Sequence, residues 1–231
     1  MKNKQSQTGN PPSSFPIYER LLYFIDSVLP NFKVLSTDQK GNFVISEDLI
    51  TEDLADFFNS EQELLLRDNA FSFINQSQKK TDIGVRLGRR YLANNRKLIC
   101  WIEAKRLPTP NKNNDRDARE YVFVSQDKNE KGKKIFKGNG GIQRFKECKH
   151  ASDLSFSIMI GYIQDDNDGD YWLSKINAWI SELANANFDL WTNEDCLKKY
   201  ESNKCNRYFS THKRREKDPI TLQHFWIKLC K

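Results

Sequence analysis

The stretch that decides the fold is residues 97–106, which run KLICWIEAKR. Five apolar residues in a row, 98–102, are typical of a central strand that is covered on both faces of a sheet. Glu103 and Lys105 follow with the same parity, so their side chains project from one face of that strand. Charged groups at the end of a central strand must lie at a cleft or in solvent, and ligand sites are common there in α/β folds.

A second strand is predicted just before the first one. Residues 81–88, TDIGVRLG, alternate apolar and polar positions, and Asp82 stands twenty-one positions before Glu103. Two strands in a hairpin would bring these two carboxylates side by side. Because Mg²⁺ binds to one or two carboxylates together with water and phosphate oxygens, and a lysine can orient a water or neutralise a phosphate, the residues suit metal-assisted phosphodiester hydrolysis.

The remaining pattern predicts the order helix, strand, strand, strand, helix, strand. Helices are indicated at residues 17–29, from near Thr51 to about Arg67, at 142–151 and at 171–186. Further strands are indicated at 70–76, 120–124 and 155–163, and a hairpin at 207–212 and 220–229 on the sheet edge. The expected fold class is α/β, with a mixed central sheet flanked by helices.

Composition narrows the class of protein. The chain has 231 residues, a formal net charge of +6 and 12% aromatic residues, which argues against a disordered chain. No apolar run approaches the length of a membrane span, and the N-terminus lacks the apolar core of a secretion signal. Five cysteines without regular spacing and three histidines support neither a disulfide framework nor a zinc site. We expect a cytoplasmic protein without a membrane partner, with a flexible tail at residues 1–15 and one domain at 16–231.

Two short motifs resemble those of the PD-(D/E)XK nuclease superfamily. They are Thr81-Asp82-Ile83-Gly84 and Ile102-Glu103-Ala104-Lys105. The resemblance covers roughly residues 50–165 and implies a restriction-endonuclease-like fold with an α-β-β-β-α-β core, to which an N-terminal helix and a C-terminal hairpin are added. Thr81 departs from the proline that the superfamily usually has before the aspartate.

The resemblance also implies roles for individual residues. Asp82 and Glu103 would bind Mg²⁺, for which Mn²⁺ can substitute, with the Ala104 carbonyl as a further ligand and Lys105 beside the attacking water. The superfamily often adds an acid from the preceding helix and a polar residue from the second core helix. The candidates for these positions are Glu63, with Glu61 as the weaker choice, and Gln143.

Basic residues are concentrated at residues 128–149, next to a glycine-rich turn. Lys134, Lys137, Arg144 and Lys146 are candidate contacts to a nucleic-acid backbone, although a basic loop that only aids solubility fits equally well. Lys213-Arg214-Arg215 could grip a backbone or protect a strand edge. His150 suits proton transfer, a phosphate contact or a helix cap, whereas His212 and His224 are expected to be structural.

These features predict a divalent-metal-dependent nuclease that hydrolyses DNA by in-line attack of water and leaves a 5′-phosphate. RNA stays open as a substrate, and so do a homodimer and a role in restriction, defence or repair. The alternative is a catalytically silent module of the same fold that binds nucleic acid or a protein. A third interpretation, a structural protein with coincidental charges, requires Asp82 and Glu103 to lie far apart.

Overall fold

The secondary structure alternates between helices and strands. The computed structural model describes residues 17–34, 47–66, 70–75, 82–88, 98–107, 118–128, 134–137, 140–201 and 204–229. The α-helices are α1 (Ile17–Val28), α2 (Glu47–Leu65), α3 (Gly141–Lys146) and α4 (Gly169–Asn185). The strands are β1 (Phe71–Asn75), β2 (Ile83–Leu87), β3 (Leu98–Leu107), β4 (Val124–Lys128), β5 (Lys134–Lys137), β6 (Phe156–Ile163), β7 (Lys198–Lys199), β8 (Asn206–His212) and β9 (Ile220–Lys228). The predicted tail at 1–15 lies outside the described residues.

Seven of the strands form one mixed sheet in the order β1-β2-β3-β6-β9-β8-β7. The central strands β3, β6 and β9 are parallel, and the outer pairs on both sides are antiparallel. Strands β4 and β5 pair with each other in a separate two-stranded sheet. The fold is therefore mixed α/β, as predicted.

Strand β3 is covered on both faces, which explains its unbroken apolar run. Cys100, Ile102 and Ala104 belong to one buried cluster, which also contains the apolar faces of α1 and α2. Trp101 packs against the second cluster, which contains residues of α3, α4 and the C-terminal strands. Since Glu103 and Lys105 share the parity of Trp101, their side chains leave β3 on the face that α3 covers, although the end of the Lys105 side chain reaches Glu47 at the start of α2.

Three predicted elements differ from the structure. Helix α2 begins at Glu47, four residues before Thr51. Residues 118–121 form a 3₁₀ turn rather than a strand, and the N–H groups of Val122 and Phe123 donate to the Arg119 carbonyl within that turn instead of pairing with another strand. The C-terminal hairpin exists, but β9 lies inside the sheet between β6 and β8, with short β7 at the edge.

Among the described residues, no helix has both the length and the apolar character needed to cross a membrane.

Candidate active site

The second half of β3 has an edge on which no described strand pairs. Strand β2 pairs with β3 as far as Ile102, whereas β6 pairs with β3 on the other side from Ile102 to Leu107. Two carboxylates occupy the edge beyond β2. Asp82 Oδ2 accepts a hydrogen bond from the Ala104 backbone N–H at 2.6 Å, and Glu47 Oε2 accepts one from the Arg106 backbone N–H at 3.1 Å.

Lys105 forms ion pairs with two carboxylates, those of Glu47 and Glu103. Its Nζ is 2.8 Å from Glu47 Oε1 and 3.2 Å from Glu103 Oε1. The lysine side chain is buried, so these ion pairs act in a medium of lower dielectric constant than water. Lys105 is thereby fixed between the start of α2 and the strand that carries it.

Glu103 is the most enclosed acid of the group, with no solvent-exposed surface. Besides Lys105, Arg144 Nη1 lies 3.3 Å from its Oε1, and His150 Nδ1 lies 3.2 Å from its Oε2. Neither Glu103 Oε2 nor His150 Nδ1 makes a hydrogen bond of acceptable geometry, although both atoms are buried. A buried oxygen without a hydrogen bond is costly in an ordinary interior and is more easily explained at a site that holds a ligand.

The charges of Glu103 and Lys105 are mutually reinforcing. Burial alone would raise the pKa of Glu103, but Lys105, His150 and Arg144 together hold that pKa below its ordinary value. Burial opposes the charge on Lys105 as well, yet Glu103, Glu47 and Asp82 raise the pKa of its ammonium. Both groups are therefore ionised at neutral pH.

Asp82 behaves differently from Glu103. Burial and then the negative charge of Glu103 raise the pKa of Asp82 from 3.8 to about 7, against the opposing effects of Lys105 and the Ala104 hydrogen bond. The two carboxylates thus lie close enough to repel each other. A pair of acids with separated pKa values is common at catalytic and metal-binding sites.

The donor set suits a hard divalent cation. Asp82 and Glu103 supply carboxylate oxygens, and the buried Oε2 of Glu103 lacks a hydrogen bond. The Ala104 carbonyl points to the same edge as its N–H, because both groups of a strand residue are directed to one side, so it adds an oxygen near Asp82. Within the described part of the chain, no cluster of three or more His, Cys, Asp or Glu side chains is placed to hold a metal. Main-chain and water oxygens would have to complete the coordination.

The structure brings Asp82, Glu103, Ala104 and Lys105 together, as the sequence predicted, but the helix acid is a different residue. Glu63 is exposed on α2 and Glu61 is half-buried, and Glu47 reaches the site instead. The error follows from placing the start of α2 too late. A signal was present, since Ile50, Leu54 and Phe58 recur at four-residue spacing and are all buried. That spacing puts Glu47 in the first turn.

Two expected site residues on α3, Gln143 and Lys146, lie away from the carboxylates, contrary to the prediction. Gln143 accepts a hydrogen bond from Trp191 Nε1 and donates to Glu147 Oε1 at 2.8 Å. Lys146 is 1% exposed and pairs with Asp195 at 2.7 Å, so its ammonium is not accessible to a nucleic acid. Both side chains face the segment that follows α4 rather than β3.

The other predicted basic contacts lie in three places: at the site, on β5 and in the β8–β9 turn. Among the described side chains of this set, Arg144 reaches the carboxylates, with a third of its side chain exposed. Lys134 and Lys137 lie on β5, and their side chains are outside the described part of the structure. In the β8–β9 turn, Arg214 is buried and donates to the Ala151 carbonyl at 3.0 Å, so it has a structural role.

His150 is a site residue for which the sequence left several roles open. It lies in the turn after α3, between Cys148 and Ala151, whose φ angles of 57° and 52° are in the left-handed region. A non-glycine residue in this region costs about 1–3 kcal/mol and persists where the surroundings impose it. The strained turn directs His150 towards Glu103.

The fold and site define a mixed α/β protein with a cluster of carboxylates and a lysine at the open edge of its central strand. No family model matches the chain, and neither a curated protein nor a solved structure matches it.

Proposed function

We propose that the protein is a divalent-metal-dependent nuclease that hydrolyses phosphodiester bonds in DNA. The observation that carries this proposal is the arrangement of Asp82, Glu103 and Lys105 around one edge of β3. Asp82 bonds to the backbone of Ala104, and Lys105 lies 3.2 Å from Glu103. Two interacting acids beside a fixed lysine are what metal-assisted phosphoryl chemistry requires.

Each residue has a part in this reaction. Asp82 and Glu103, with the Ala104 carbonyl, would hold Mg²⁺ or Mn²⁺. When bound, such an ion supplies an activated water and neutralises charge on the phosphate. Lys105 orients the attacking water and stabilises the negative charge that develops on the phosphate oxygens, while Glu47 keeps its ammonium in place. Arg144, partly exposed beside Glu103, is positioned to contact a phosphate.

The resemblance to the PD-(D/E)XK superfamily supports the same assignment. Strands β2 and β3 carry its two motifs, and the described elements from α2 to β6 contain the expected series of one helix, three strands, one helix and one strand, with the β4–β5 hairpin inserted. The proposal therefore extends to a restriction-endonuclease-like fold. A cytoplasmic location, a homodimer and a role in restriction, defence or repair remain predictions.

The proposal is tested by cleavage assays on labelled DNA with Mg²⁺. We expect Asp82→Ala, Glu103→Ala and Lys105→Ala each to abolish cleavage, because each removes a group that acts on the reacting phosphate. EDTA should stop the wild-type reaction, and the products should carry 5′-phosphates. Asp56→Ala, an exposed acid on α2, is the matched control and should cleave normally. Full activity of any of the three variants would remove that residue from the mechanism.

A catalytically silent module of the same fold is the second candidate, and one observation favours it. Glu103 already has Lys105, Arg144 and His150 around it, so its charge is compensated by the protein alone. Such a module would retain labelled DNA or a protein partner in a binding assay and leave DNA intact at every Mg²⁺ or Mn²⁺ concentration. Cleavage that requires Asp82 would exclude it.

A further inference from the structure

A continuous chain of buried hydrogen bonds lies on the face of the sheet that α3 and α4 cover. It joins residues that are each at most 2% exposed, in the order Trp226, Tyr121, His224, Ser210, His212, Asp195 and Lys146. Its distances are 2.9 Å from Trp226 to Tyr121, 2.8 Å from Tyr121 to His224, and 2.7 Å for each of the four remaining links. None of these residues touches the carboxylates of the candidate active site directly.

The direction of the hydrogen bonds is set by the two ends of the chain. An indole N–H can only donate, so the Tyr121 oxygen accepts from Trp226. At the other end, burial raises the pKa of Asp195, but His212 and Lys146 outweigh it and lower that pKa overall, so the carboxylate is ionised and only accepts. The Nδ1 atom of His212 therefore carries the proton in its bond to Asp195.

The middle of the chain then has a single consistent arrangement. Burial lowers the pKa of both His212 and His224, so both rings are neutral. Neutral His212 accepts at Nε2 from the Ser210 hydroxyl, and the Ser210 oxygen accepts from His224 Nε2–H. His224 Nδ1 is left to accept from the Tyr121 hydroxyl. Each link then joins one donor to one acceptor, and the ion pair of these hydrogen-bonded residues is that of Asp195 with Lys146.

The two ends of the chain flank α3. This helix has six residues, which is too short to be stable without tertiary contacts. Near its start, the Gln143 N–H donates to the carbonyl of Val122, the neighbour of Tyr121. At its end, Lys146 is bound by Asp195. Arg144 lies between these two anchored residues and contacts Glu103. Its carbonyl accepts a hydrogen bond from the N–H of His150, in the turn after the helix.

We propose that this chain of hydrogen bonds positions Arg144 and His150 against Glu103. Ser210, His212 and Asp195 are then positioning residues of the candidate active site, although they lie in the C-terminal part of the protein. The inference concerns the geometry of α3 and rests on the proposed function only where cleavage is measured. Residues that belong to neither motif thereby help to shape the candidate active site.

The first measurement reads the histidine tautomers in the wild-type protein. The protein contains three histidines, so NMR of protein with ¹⁵N-labelled histidine shows three imidazole rings. At pH 7 we expect one ring protonated at Nδ1 only, His212, and one protonated at Nε2 only, His224. Assignment uses His212→Gln and His224→Gln. The opposite tautomers, or a doubly protonated His212 or His224, would overturn the proposed chain.

The second measurement breaks the chain at its centre. Ser210→Ala leaves both histidines without their shared partner, and Thr211→Ala, an exposed neighbour on β8, is the control. We expect the His150 ring signals to shift in Ser210→Ala and to stay in place in Thr211→Ala, with the single-turnover cleavage rate reduced about tenfold at unchanged DNA affinity. Tyr121→Phe, a milder break, is used if Ser210→Ala does not fold.

The outcomes separate this inference from the proposed function. If His150 shifts but the wild type never cleaves DNA, the positioning chain stands and the nuclease assignment fails. If the wild type cleaves and the folded Ser210→Ala or Tyr121→Phe variant keeps both its His150 signals and its rate, the positioning role is contradicted.

Discussion

At the scale of single residues, the site depends on which acids surround Lys105. Glu103 comes from the same strand, and its contact with Lys105 follows from strand parity. Glu47 comes from the start of α2, fifty-eight positions earlier, and it binds both the Lys105 ammonium and the Arg106 backbone. The Glu47 carboxylate therefore holds the Lys105 ammonium and also accepts a backbone hydrogen bond at the unpaired edge of β3.

Glu47 and Glu63 give a direct comparison on one helix. We expect Glu47→Gln to lower the cleavage rate about 10–100-fold, because Lys105 loses a charged partner that orients it. Glu63 is exposed, so Glu63→Gln should leave the rate unchanged and shift the unfolding free energy by less than about 0.5 kcal/mol. Rates are measured with circular dichroism as a check on folding. A normal rate in Glu47→Gln would contradict the role of Glu47, and a loss of activity in Glu63→Gln would favour the helix acid that the family resemblance implies.

The raised pKa of Asp82 predicts a pH-dependent stability. Between pH 3.8 and about 7 the folded protein keeps a proton on Asp82 that the unfolded chain has lost, so this carboxylate makes the fold less stable as the pH rises. Asp82→Asn removes that titration and retains an oxygen that can accept from Ala104. In EDTA, its unfolding free energy relative to the wild type should increase from pH 4 to 7, by about 3–4 kcal/mol, and stay level above pH 7.

The measurement is urea denaturation of both proteins at several pH values. Titration of other groups, such as His212 and His224, is common to both proteins and cancels in the difference. A difference that is constant with pH, or that decreases as pH rises, would show that Asp82 has an ordinary pKa.

At the scale of elements, α3 is placed by close contact at its first residue. A Cβ atom on Gly141 would lie 2.9 Å from the Tyr121 carbonyl oxygen, 2.5 Å from Met159 Cε and 3.5 Å from Lys105 Cγ. Only glycine lets the start of α3 approach the Tyr121 carbonyl and Met159 this closely, whereas the distance to Lys105 is an ordinary van der Waals contact. The helix therefore lies directly against the stem of the lysine proposed to act in catalysis.

Two glycines at helix starts allow a matched test of this contact. We expect Gly141→Ala to destabilise the fold by about 1–3 kcal/mol through overpacking against the Tyr121 carbonyl and Met159, and to reduce the cleavage rate, because α3, which carries Arg144, must shift. Gly169→Ala, at the start of α4, also meets atoms at 2.7 Å, those of Asn206 and Tyr208, but lies away from Lys105. The Gly169→Ala variant should be less stable than the wild type, and its cleavage rate per folded molecule should be normal. Equal effects of both variants on the rate would contradict a specific role for Gly141.

The sequence predicted the parts of the site that depend on local pattern. Strand β3 and the convergence of Asp82 with Glu103 and Lys105 follow from alternation and from a hairpin of neighbouring strands. The contact of Glu47 with Lys105 depends on where α2 docks, which no short window of sequence determines. The pairing of β9 with β6 is likewise non-local, so the sequence predicted the C-terminal hairpin but placed it wrongly at the edge.

At the scale of the whole molecule, the candidate site is assembled from distant segments. Glu47 comes from the start of α2, and Asp82 directly precedes β2. Glu103 comes from β3 and His150 from the turn after α3. The C-terminal strands complete the sheet and support the second buried cluster, in which Trp226 and Tyr208 pack at 4.2 Å between ring centroids. The strands beyond residue 165 are therefore part of the same sheet as the motifs.

The most direct test of the central claim is calorimetric titration of Mg²⁺ and Mn²⁺ into the full chain at pH 8, above the pKa of Asp82. We expect saturable binding to the wild type and to Asp56→Ala, and loss of that binding in Asp82→Ala and Glu103→Ala. Wild-type affinity in Asp82→Ala, or no saturable binding to the wild type at millimolar ion, would contradict a metal site at this edge of β3.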